Sequence, residues 1–113
     1  METIEHIYDL SYIIANAALK KANSKNDKPL ENLFELRKQT LLNLKQAADI
    51  FRVSADMSQY KLIFGSKEVP FWNAINGPIS DAIWHCGQLA SFRRITGNPI
   101  NPKVNHFNGT VRK

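Results

Sequence analysis

Pro78–Gly97 reads PISDAIWHCGQLASFRRITG. Treated as a helix, the stretch sets Asp81 and His85 one turn apart on one face, and Leu89 and Phe92 continue that face. A carboxylate and an imidazole on a core-facing stripe are costly unless something pairs with them. Either they pair with each other, as an ordinary i,i+4 helix couple, or they share a metal ion. Gly97 suits a C-terminal cap, and Pro99 and Pro102 forbid continuation. At the other end Pro78 has no N–H to donate, so it kinks a longer helix or opens a new one. Asn76 as N-cap favours a new start, which leaves Pro70–Asn76 as a short helical turn ending at Gly77-Pro78.

Upstream, Thr3–Lys21 has the period of an amphipathic helix: Ile7, Leu10, Ile14 and Ala17 form an inward stripe, broadened by Ile13, with His6 on its edge. Asn23–Pro29 is a polar loop by composition. A second helix is expected from about Pro29 to Phe51, capped by Asp27 or Asn26, with Leu30, Leu33, Phe34, Leu41, Leu44, Ala48 and Phe51 as its apolar face. Arg52–Val69 is the least regular segment. Tyr60–Phe64 could be extended, but a lone strand finds no partner, so the segment reads as a loop across one end of a bundle. Residues 98–113 are expected to form an extended polar tail laid against the helices. The expected fold is therefore all-α: one domain over 1–113, an up-down bundle of three long helices plus a short helical turn. Its uncovered apolar face is most cheaply closed by a homodimer.

Composition narrows the function. With 113 residues, 43% apolar and 22% charged, the chain has the make-up of a single globular domain. Its net charge of +5 is spread over the sequence, without the basic-aromatic blocks of a nucleic-acid surface, so nucleic acid is not an expected partner. No apolar run reaches the ~20 residues of a membrane span, and the N-terminal stretch carries acidic residues where a secretion signal is basic. The single cysteine, Cys86, excludes an internal disulfide and fits a reducing compartment. A cytoplasmic location is expected.

The chemistry concentrates on few residues. Asp81 and His85 need a third ligand from another element, and His6 is the natural candidate if the first and last helices run antiparallel. Two imidazoles and a carboxylate leave coordination positions open, as a catalytic rather than a structural site does. No residue is assigned to catalysis itself. Cys86 points about 100° away from His85 and reads as a small buried side chain. Arg93 and Arg94 with Lys103 are a candidate anion site or simply favourable charges at a helix C-terminus. His106 is expected at the surface, and Trp72 and Trp84 as core or pocket wall. Asn76, Gln88 and Trp72 are the substrate-binding candidates at the pocket mouth.

The run VPFWNAINGPISDAIWHCGQLASFRRITGNPINPK from Val69 resembles the C-terminal helix region of the DinB-like metalloprotein superfamily. The resemblance is carried by Phe71-Trp72-Asn73, Asn76-Gly77-Pro78, Asp81 with His85, Gly87-Gln88, and Phe92-Arg93-Arg94 leading to Gly97-Asn98-Pro99. Ile4–Leu10 is similar to the second helix of that family, which supplies its first metal-binding histidine. The resemblance implies His6, Asp81 and His85 as the three ligands, with Asp81 standing where most members have the first histidine of an HxxxH pair. It implies zinc or nickel as the ion, a low-molecular-weight thiol as co-substrate of a metal-dependent transferase or isomerase, and a four-helix bundle of which this chain lacks the first helix. Dimerisation would then supply the packing surface. The competing expectation is a non-catalytic dimeric bundle with an interaction or stress-related role.

Overall fold

In the computed structural model, which describes residues 2–24 and 32–113, the first helix is the centre of the molecule. Helix α1 (Glu2–Ala18) buries Ile7, Leu10, Ile14 and Ala17, the expected stripe, and adds Tyr8, Ser11, Ala15 and Ala18. Helix α2 (Leu33–Arg52) packs on one side of it. Ser11 meets Asn43, and Ile14 and Ala18 close on Ala47, so the contacts climb both helices in the same direction. The two helices are parallel, which corrects the up-down order expected of the bundle. Small residues at Ser11, Ala15, Ala18 and Ala47 allow the close approach.

The face of α2 also differs from expectation. Leu36, Thr40, Asn43 and Ala47 are buried, whereas Leu33, Phe34 and Leu41 are exposed. Two of the four buried positions are polar, and their needs are met locally. Thr40 donates to the Leu36 carbonyl at 2.7 Å, Asn43 donates to Ser11 Oγ at 3.2 Å, and Ser11 donates to the Tyr8 carbonyl at 2.6 Å. A purely apolar stripe search misses such a row. Asn32 is the N-cap, its side chain accepting from the Glu35 N–H at 2.9 Å; the expected caps Asn26 and Asp27, and Leu30, lie outside the described residues.

Three short strands correct the all-α expectation. Strand β1 (Ala22–Asn23) pairs in parallel with β2 (Lys61–Phe64), and β2 pairs antiparallel with β3 (Lys67–Pro70), Leu62 opposite Val69. The partner that Tyr60–Phe64 seemed to lack is KEVP, too polar and too close to proline to stand out as a strand. Gly65 opens the two-residue loop at φ 61°, the left-handed conformation a tight hairpin needs there. Leu62 packs with Ala17 and Ala74, and Phe51 stacks edge-on with Tyr60 and Phe71 at 5.0 and 5.1 Å, so the sheet closes the C-terminal end of α1.

Phe71 to Ile95 is one kinked helical run, not two helices. The turn α3 (Phe71–Ala74) passes through a wide π turn (Ile75–Ile79) into α4 (Ser80–Ile95). Gly77 leaves the helical region (φ −115°, ψ −106°) beside Pro78, and the Ile75 carbonyl accepts from both the backbone N–H and the hydroxyl of Ser80. Asn76 is therefore inside the turn and caps nothing. Helix α4 ends as expected: Gly97 sits at φ 81°, with Gly97 N–H on the Arg94 carbonyl and Asn98 N–H on that of Arg93. The tail is not simply extended; β4 (Val104–Asn105) and β5 (Thr110–Val111) form a hairpin. Among the described residues, no helix is long and apolar enough to cross a membrane.

Candidate metal centre

Helix α4 runs antiparallel to α1, with Ile79 against Ile14 and Leu89 in one cleft with Ile4. That direction brings the start of α1 beside the middle of α4 and sets His6 over Asp81 and His85. The Nε2 atom of His6 lies 3.1 Å from Asp81 Oδ2, and His85 Nε2 lies 3.3 Å from Asp81 Oδ1. The two imidazole rings meet edge to face, centroids 4.7 Å apart at 89°. One ligand atom from each residue falls within 4.8 Å of the others. The three are brought together from two elements 75 residues apart in sequence.

A fourth residue completes the geometry. Gln88, one turn after His85, has its Oε1 2.7 Å from His85 Nδ1. A carbonyl oxygen only accepts, so Nδ1 carries the proton and donates it to Gln88. In the neutral ring this turns a lone pair on Nε2 toward Asp81 Oδ1, an acceptor facing an acceptor. A metal cation held between them would satisfy both acceptors. An outer hydrogen bond of this kind is what orients the ring of a histidine that ligates a metal. Donors N, N and O match a borderline divalent ion such as zinc or nickel. The donor set thus fits the ion that the resemblance implies.

The centre is shallow. His6 and Asp81 are nearly half exposed, and His85 is the most covered of the three, its side chain 18% accessible. Trp84, 62% exposed, leans its ring against His85 at 5.0 Å. Of the expected substrate contacts, Gln88 is the one joined to the centre, and through His85. Trp72 lines a separate small cleft with Met57, Pro70 and Ile75, while Asn76 is exposed in the π turn. Arg93 is engaged by the tail: its guanidinium donates to the Asn98 carbonyl at 2.9 Å and reaches the Pro99 carbonyl at 3.4 Å. Cys86, exposed rather than buried as expected, turns to the other flank of α4, where partial desolvation beside the apolar cleft pushes its thiol above the ordinary cysteine pKa. His106, exposed as expected, stands at the mouth of a cleft with Arg94 and Ile100.

Gln88 as a partner of His85 was legible at i,i+3, a spacing that puts two side chains on one helix face. The outward course of Trp72 and Asn76 was not, because it depends on the phase added by the π turn. No family model, no curated protein and no solved structure matches the chain.

Proposed function

We propose that this protein is a DinB-like helical metal-binding protein that holds one divalent cation, zinc or nickel, between His6, Asp81 and His85. The observation that carries the reading is the convergence of three ligand atoms from α1 and α4 within 4.8 Å, with the least exposed imidazole already oriented by Gln88. In this reading His6 and His85 contribute nitrogen ligands, Asp81 contributes the carboxylate, and the exposed side of the cluster leaves positions for exogenous ligands. A divalent ion there supplies a Lewis acid that lowers the pKa of a thiol or water it coordinates. A metal-dependent thiol transferase or isomerase is the reaction class this supports. The chain's own residues orient the ligands; the half-exposed centre leaves the exclusion of water to the substrate itself.

The test is metal content and affinity for the untagged protein. Wild type is expected to take up one equivalent of zinc or nickel, and His85→Ala and His6→Ala to lose it. Saturating metal also raises the unfolding midpoint, by about 2.7 kcal/mol of stabilisation at a hundredfold excess over Kd. Absence of stoichiometric uptake by wild type would sink the proposal.

A further inference from the structure

The residue that follows each of the three ligands in sequence (Ile7, Ala82 and Cys86) faces the opposite flank of the α1–α4 seam, where it lines a long apolar trough. Ile7 and Ile14 form its floor, Leu44 and Phe51 one wall, Ile83 and Ala90 the other, enclosing about 840 Å³. Past Ile7 and Cys86, which line both, it continues into a cleft of about 210 Å³ bounded by Leu33, Leu41 and Leu89. Along α2 the joined clefts run from Leu33 to Phe51, roughly 27 Å at ~1.5 Å per residue. They stay open throughout: Leu33, Leu41 and Ile83 are 49%, 58% and 68% exposed. A small ligand needs enclosure on most of its surface, and this channel offers walls on three sides over five helical turns. Its length and its direction, along the helices that wall it, are those of another helix.

Charge says what kind. Among the described residues, the charged side chains lining the channel are Arg37 and Arg94, with His106 beside Arg94, and no aspartate or glutamate joins them. Neither guanidinium has an ion-pair partner among the described residues. A second copy of this chain, packed trough to trough, presents the same two arginines and no acidic side chain among the described lining residues, so the trough offers itself no charge complement. We infer that the trough docks an amphipathic α-helix of a partner polypeptide, one whose apolar stripe is flanked by acidic residues that meet Arg37 and Arg94.

Two fluorescein-labelled peptides of about 20 residues test this, identical in a Leu/Ile stripe at helical spacing and differing only in Glu or Lys at the flanking positions. The Glu peptide is expected to bind at least about tenfold tighter than the Lys peptide at low salt, with the gap closing at high salt. It is also expected to slow alkylation of Cys86, which lines the channel. Arg37→Glu with Arg94→Glu reverses the preference. Ala90→Trp, which fills the trough, abolishes binding of both peptides while the helical circular dichroism is retained. Equal affinity for the two peptides, binding of neither, or sedimentation as a dimer with Cys86 already protected would each overturn the inference.

Discussion

Replacing Gln88 by leucine removes the hydrogen-bond partner of His85 Nδ1, and the consequence is calculable. The His85 Nδ1–Gln88 Oε1 contact is 2.7 Å, short for a nitrogen donor, and it holds a ring whose side chain is 18% exposed. Without the acceptor, Nδ1–H must find water, the ring is free to exchange tautomers, and Nε2 no longer presents a fixed lone pair beside Asp81. Loss of such an outer partner typically weakens metal affinity about 10- to 100-fold, which is about 1.4–2.8 kcal/mol. The same hydrogen bond in the metal-free protein is partly exposed and contributes about 1 kcal/mol or less to folding. Affinity must therefore move further than apo stability does. Competition against a chromophoric chelator, for zinc and for nickel, measures the first, and urea unfolding in the presence of a strong chelator measures the second. Gln88→Glu keeps an acceptor at the same reach and should restore binding to wild-type level or better. If the leucine variant binds metal as tightly as wild type while wild type does bind, the orienting role of Gln88 is wrong, whatever becomes of the three ligands.

Four further outcomes follow from the packing. Ile14→Ala, at 5% exposure between Ala18 and Ala47, should destabilise by about 2 kcal/mol, near the lower end for such truncations because one side of Ile14 already faces the open trough; denaturant midpoints at constant m-value check this. Asn43→Leu strips Ser11 of a donor and Gln39 of its acceptor and should cost about 1–3 kcal/mol, of which Ser11→Ala in the same chain recovers part; a double-mutant cycle that is strictly additive would deny the Ser11–Asn43 coupling. Because burial raises the Cys86 thiol pKa, the folded protein should alkylate more slowly with iodoacetamide near pH 8 than the urea-unfolded chain does. By linkage the raised value contributes stability that is complete below the unfolded pKa and is lost as pH rises through the folded one, so stability should fall less steeply with alkaline pH when Cys86→Ala removes the thiol.

The helices were legible because each carries its period locally. Ile7, Leu10, Ile14 and Ala17 announce α1, and Gly97 followed by Pro99 announces the end of α4. Strand β3 was not legible, since KEVP has neither alternation nor apolar weight and gains its structure by pairing with β2. The buried row of α2 was hidden for a related reason. Thr40 and Asn43 look like solvent positions until Ser11 and the Leu36 carbonyl are placed beside them.

Sequence spacing by itself determined that Asp81 and His85 share a helix face, because an i,i+4 interval is a property of the helix and of nothing beyond it. It determined likewise that His85 and Gln88 lie within reach of each other. Whether His6 joins them depends on the direction and phase in which α1 and α4 pack, which in turn rest on Ile14 meeting Ile79 and on the π turn at Gly77-Pro78 that sets the rotation of α4. Those are contacts between residues far apart in the chain, and only the tertiary structure decided them. The same is true of the trough: its walls belong to α2 and α4, and the parallel course of α1 and α2, which no local pattern encodes, is what leaves it open.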